Sequence, residues 1–79
     1  MKININLFIS ILETEFDIDP KGTLKEETVI ASVIEMSSIN ALIFLSVIKT
    51  EFNIVLTAAD LINSNTISDL YNVIISKSE

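Results

Sequence analysis

The chain has 79 residues, with 5 lysines and arginines against 11 aspartates and glutamates, a net charge of −6, and hydrophobic residues at 49%. That length allows one domain, taken as residues 1–79, with a modest core, since so short a chain buries only roughly 60% of its unfolded surface. With no Cys and no His, the chain has no disulfide frame, thiolate metal site, thiol nucleophile or imidazole base.

The acidic balance argues against nucleic acid, where binding depends on cations that release counterions from phosphates. It argues equally against an anionic membrane surface. The N-terminal stretch, with one Lys and then Glu13 and Glu15, has no signal-peptide pattern. The longest uncharged run, Met36 to Ile48, is 13 residues, short of the roughly 18 a bilayer span needs. A cytoplasmic chain without membrane or nucleic-acid partners is expected.

One Gly and one Pro leave little turn material for a multi-stranded sheet, so helices are the economical reading. In the first segment Phe8, Ile11, Leu12 and Phe16 recur at helical spacing, and Asn4 or Asn6 can cap its start. Asp19-Pro20-Lys21-Gly22 reads as a type I turn. Thr23 to Ser37 has no clean period and is expected to be a long loop, pinned to the core by Val29, Ile30, Val33 and Ile34. A second helix runs from about Ser38 to Phe52, capped by Ser37 or Ser38. Its expected inward stripe is Leu42, Leu45, Ile48 and Phe52, but Ile39, Ile43, Phe44 and Val47 make it apolar nearly all round. Asn53 to Leu56 is a short extended link, and Thr57 to Leu61 suggests one or two helical turns. Thr66-Ile67-Ser68-Asp69 opens the last helix with a capping-box pattern, followed by the stripe Ile67, Leu70, Val73 and Ile74. The sum is an all-α bundle of three main helices and a short one, with a long first connection.

Few residues offer chemistry. Asp17-x-Asp19-x-Lys21-Gly22 matches part of an EF-hand loop. However, a cation stands at the fifth position and Thr28 at the twelfth, which favours a solvated acidic turn over a metal site. The pairs Glu26–Glu27 and Glu13–Glu15 do not face each other on a helix and read as solvated charge. No catalytic residue or metal ligand is assigned, and an enzyme is not expected. The adjacent Ser37-Ser38 ends a long loop and opens a helix just before an exposed Ile39. A helix N-terminus tolerates an attached phosphate, because its N–H groups are free and its dipole end is positive.

With these residues in view, the chain resembles the acyl carrier proteins and the related peptidyl and aminoacyl carriers. Ser37-Ser38-Ile39 stands where that family has Asp-Ser-Leu. Phe52-Asn53-Ile54-Val55-Leu56 resembles the family's Phe-Gly-Ile-Glu-Ile stretch, and Asp60-Leu61 with Thr66 to Leu70 resembles the run into its last helix. Ile11 to Ile18 resembles the Ile-Ile-x-x-x-Leu-x-Val segment. Ser38 lies 14 positions before Phe52, the separation at which the family places its modified serine.

The resemblance implies a small four-helix bundle with a long first loop and a short third helix. It implies a 4′-phosphopantetheine arm, taken from coenzyme A by a phosphopantetheinyl transferase and attached to Ser38. The arm would hold acyl or aminoacyl thioesters for loading and biosynthetic enzymes of fatty-acid, polyketide or nonribosomal-peptide type. A monomer is the family expectation.

The departures are Ser37 for Asp, Ile39 for Leu, and Glu35 for a loop Gly. Ile43, Lys49 and Thr50 stand where fatty-acid carriers present Glu, and Asn40 where Asp is common. The docking face expected here is Ser37, Ile39, Asn40, Ile43, Val47 and Thr50, more apolar and less electrostatic than usual. The alternative is an unmodified carrier-like bundle serving as an interaction module.

Overall fold

The structure, a computed structural model, describes residues 3–78. Five helices follow one another: α1 Ile5–Glu15, α2 Ile30–Val33, α3 Ser38–Phe52, α4 Ala58–Asn63 and α5 Ile67–Ser78. The all-α reading holds, and the long first connection gains a single helical turn, α2, that no periodicity announced.

Helix α1 starts where Asn4 Oδ1 accepts from the N–H groups of Asn6 (2.7 Å) and Leu7 (3.4 Å), so Asn4 rather than Asn6 is the cap. Phe8 and Leu12 are fully buried. So is Glu13 at 4% exposure, which corrects the expectation of a solvated carboxylate. Its Oε2 accepts from the backbone N–H groups of Gly22 (2.8 Å) and Leu24 (3.0 Å), while the Lys21 ammonium donates to the Glu13 carbonyl at 3.1 Å. A buried carboxylate is stable when donors satisfy it, and this one ties the start of the long loop to α1.

The turn beside it is shifted by one residue from the expected register. Thr23 donates to the Pro20 carbonyl at 3.3 Å, and Gly22 takes φ +95° at the third place. That conformation suits a residue without Cβ.

Farther along, Ile30 and Ile34 bury into the core while Val29 and Val33 stay at the surface, so only half of the expected β-branched pins engage. The rest of the fastening is backbone. Val29 and Thr66 form an isolated antiparallel bridge. Ile30 donates to Asn65 (2.9 Å), Ile67 to Thr28 (3.0 Å) and Ser68 to Glu26 (2.8 Å). The loop is thereby sewn to the start of α5.

Helix α3 has the expected bounds, but its inward face is Phe44, Val47, Ile48 and Phe52. Leu42, expected inside, is 63% exposed. A helix apolar on every side gives sequence no means of fixing its rotation. It ends at Asn53 in the left-handed region, φ +57°, held by its N–H on the Lys49 carbonyl (3.0 Å) and by Lys49 Nζ on Asn53 Oδ1 (2.8 Å). Asn is one of the few residues other than Gly that takes this conformation readily. The link then alternates, Ile54 and Leu56 in and Val55 out, as an extended segment must.

Helices α4 and α5 begin with the same device. Thr57 and Asp60 exchange side-chain-to-backbone bonds (3.1 and 3.0 Å), as do Thr66 and Asp69 (3.1 and 3.0 Å). Lys77 near the end of α5 pairs with Asp60 at 3.2 Å. Ile67, Leu70 and Ile74 of α5 are fully buried alongside Phe8, Leu12, Phe44 and Ile48. Phe8 sits between Phe52 and Tyr71, ring centroids 6.3 and 6.2 Å away, and Phe16 meets Phe44 at 4.6 Å.

Two outcomes follow. Glu13→Ala leaves two loop N–H groups without their acceptor and should cost about 2–3 kcal/mol in urea unfolding, while Glu13→Gln, which keeps an acceptor oxygen, costs less than half as much. A stability for Glu13→Ala equal to the parent's would contradict the staple. The second concerns acid. Bonds from the Thr57 backbone first, and then from Lys77, hold Asp60 below its ordinary 3.8, and bonds from the Thr66 and Asn65 backbone do the same for Asp69. A lowered native pKa contributes stability that is complete above the unfolded value and is lost as pH falls through the native one. Thermal unfolding followed by circular dichroism should therefore show Tm dropping below about pH 4, with a shallower drop in Asp60→Asn/Asp69→Asn.

Candidate functional site

The start of α3 is built by the residues just before it. The Ser37 backbone is extended, and its Oγ accepts from the Asn40 N–H at 3.1 Å, so Ser37 is the N-cap. The Glu35 carbonyl accepts twice, from the Ser37 N–H (3.0 Å) and from the Asn40 side-chain amide (2.6 Å). Three residues of loop and the first turn of helix are thereby locked together. Asn40 acts here as a donor, which an ionised Asp cannot be. Ser37 retains the capping ability of an Asp and lacks its charge.

Ser38 is the first residue of the helix and is exposed. Capping falls to Ser37, so the Ser38 hydroxyl is not spent on the helix end. An attached phosphate would leave toward solvent beside first-turn N–H groups at the positive end of a helix of 15 residues. The site thus fits a phosphodiester.

The surface around Ser38 is apolar. Ile39 is 71% and Leu42 63% exposed, with Met36 and Val33 also at the surface. Of the expected docking residues, Ile39 and Thr50 are exposed, and Ser37, Asn40 and Ile43 half-buried. Val47, at 7% exposure, is turned inward and offers no docking surface. Leu42, expected inside, stands outward in its stead. Between the end of α1, the region of α2 and the opening turns of α3 lies an open groove of about 300 Å³, lined by Glu15, Phe16, Asp17, Val33, Ile34, Glu35, Asn40 and Ile43. No sequence pattern pointed to it, since its residues come from three separate segments.

Asp17 and Asp19 are both exposed, and among the described residues no three acidic side chains gather in a way that could hold a metal ion. No helix among them is long and apolar enough to cross a membrane.

Comparison with curated proteins and with solved structures gave no match. Comparison with protein families gave one, the phosphopantetheine attachment site family, over residues 6–74. The matched span runs from α1 into α5 and contains the whole α3 start. Domains of this family are not themselves catalysts; they are worked on by a phosphopantetheinyl transferase and by biosynthetic enzymes. A match across nearly the entire chain, on an all-helical bundle, makes this protein a member of the phosphopantetheine attachment site family, a carrier on which 4′-phosphopantetheine is covalently held.

Proposed function

We propose that this chain carries acyl or aminoacyl intermediates as thioesters on a 4′-phosphopantetheine arm joined to Ser38, and presents them to biosynthetic enzymes. The observation that carries the reading is the division of work between two adjacent serines: Ser37 caps α3, and Ser38 stands exposed one residue later with its hydroxyl left over. The arm supplies the thiol that a chain without Cys lacks. The protein contributes attachment and presentation. A cytoplasmic location and a monomeric state, the latter the family expectation, belong to the same proposal.

Docking is proposed on the outward side of α3 and the residues before it, with Ile39 and Leu42 as apolar anchors and Ser37, Asn40, Ile43 and Thr50 around them. Residues 36–48 carry no charge, so affinity on this face comes from burial rather than ion pairing. Covering Ile39 or Leu42 contributes roughly 1–2 kcal/mol each.

Incubation with coenzyme A and a broad-specificity transferase should raise the intact mass by one phosphopantetheinyl group, and Ser38→Ala should abolish the gain. No gain in the parent, or a gain that survives Ser38→Ala, contradicts the reading and favours an unmodified interaction module. Ile39→Ser or Leu42→Ser should raise the transferase KM about 5- to 30-fold, the span of 1–2 kcal/mol, with little change when salt rises from 50 to about 300 mM. A KM unmoved by either substitution, or one that climbs steeply with salt, would show that docking is electrostatic and lies elsewhere.

A further inference from the structure

Helices α3, α4 and α5 each open on a hydroxyl cap, but they fill the third helical position differently. In α4 and α5 that position is an acid. Asp60 accepts from the Thr57 N–H and Asp69 from the Thr66 N–H, each at 3.0 Å. In α3 the position is Asn40, and the bond runs the other way. Its side-chain amide donates to the Glu35 carbonyl at 2.6 Å, and the same carbonyl takes the N–H of the Ser37 cap at 3.0 Å. At the helix that carries Ser38 the chain sets aside the acid it uses at the next two.

Helix stability alone does not call for that exchange, since an acid in the first turn complements the positive end of the helix. What the amide adds is a link out of the helix. The first buried side chain of α3 is Phe44, in its second turn, so the turn that opens on Ser38 has no fully buried residue of its own. A helix end so placed is free to open locally. Among the described residues, the Asn40 amide makes the one hydrogen bond between that turn and the loop ahead of Ser37. Its acceptor is firmly seated, because Glu35 follows Ile34, an extended residue 4% exposed in the core.

We propose that Asn40 is a positioning residue for phosphopantetheinyl transfer: its amide fastens the first turn of α3 to the Glu35 carbonyl and so holds the Ser38 hydroxyl in one place. The inference rests on attachment at Ser38. In that transfer Ser38 Oγ forms a bond to the phosphorus on the pantetheine side of the coenzyme A diphosphate. The bond from that phosphorus to the oxygen of the adenosine bisphosphate leaving group breaks, and the hydroxyl proton passes to a base on the transferase. Asn40 touches none of the reacting atoms and acts through the backbone that carries one of them. An ionised Asp in its place has no proton to donate and sets a carboxylate against the carbonyl.

The test uses Asn40→Asp and Asn40→Ala beside the parent, with coenzyme A and a broad-specificity transferase. Mass gain by the parent is checked first; its absence would end the carrier reading, and this proposal with it. Both substitutions should lower kcat about 3- to 10-fold, the net worth of one hydrogen bond, with KM within twofold, since Ile39 and Leu42 are unchanged. In urea, Asn40→Asp should be at least as stable as the parent, because its carboxylate can take the Ser37 N–H as Asp60 and Asp69 take those of their caps. By nitrogen-15 relaxation, order at Glu35 to Ile39 should fall in both variants while α5 keeps its own. An unchanged kcat would overturn the proposal. So would a raised KM at constant kcat, which marks a partner contact, or a loss confined to Asn40→Asp, which marks charge rather than the missing donor. A fall in Asn40→Asp stability alongside kcat would reduce Asn40 to a folding role and overturn it equally.

Discussion

A helix opens with backbone N–H groups that have no partner inside it, and at α3 that deficit falls on one of two neighbouring serines. Ser37 takes it, through the bond from the Asn40 N–H at 3.1 Å. Ser38 is relieved of it and stands exposed at the first helical position. The arrangement depends on the backbone arriving at the right angle, which the Glu35 carbonyl secures by accepting from both Ser37 and Asn40. A hydroxyl engaged in capping would be held against the helix end, so the availability of Ser38 is a consequence of its neighbour's bond.

The rest of the fold holds that junction still. The loop leading to it would be costly to order if it were free. It is fastened at its start by the Glu13 carboxylate, in its middle by the bridge from Val29 to Thr66, and near its end by the buried Ile34. Beneath α3, Phe44 and Ile48 are fully buried against a core shared with Phe8, Leu12, Leu70 and Ile74. The helix carrying Ser38 is thus anchored along its inner face, while its outer face at Ile39 and Leu42 is left uncovered. Other apolar side chains are as exposed, Ile62 at 80% and Val55 at 67%; what sets Ile39 and Leu42 apart is their place in the first turns of the helix that Ser38 opens.

Local chemistry was legible in the sequence wherever it was written in adjacent residues. The bounds of α3 followed from the paired serines and the largely apolar run that ends at Phe52, whereas the left-handed Asn53 that closes the helix reads in the sequence only as the start of an extended link. The start of α5 followed from Thr66 and Asp69, and the exposed Ile39 from its place beside the paired serines. What needed three dimensions was hidden. The rotation of α3 had no signal, because apolar residues on every side leave no polar face to orient it, and so Leu42 and Val47 exchanged places between core and surface. Glu13 looked solvated because its partners are backbone groups 9 and 11 residues away, and backbone N–H carries no sequence signature. Helix α2, at four residues, is too short to show a period. The turn at Gly22 moved by one residue because Pro suits more than one place in a turn and the positive φ of Gly decided the register.

Peptide mapping by tandem mass spectrometry after phosphopantetheinylation bears most directly on the junction. The fragment spanning Met36 to Lys49 should carry the phosphodiester on Ser38, with Ser37 and Ser46 unmodified. Modification on Ser37, the residue whose hydroxyl holds the helix cap, would contradict the account.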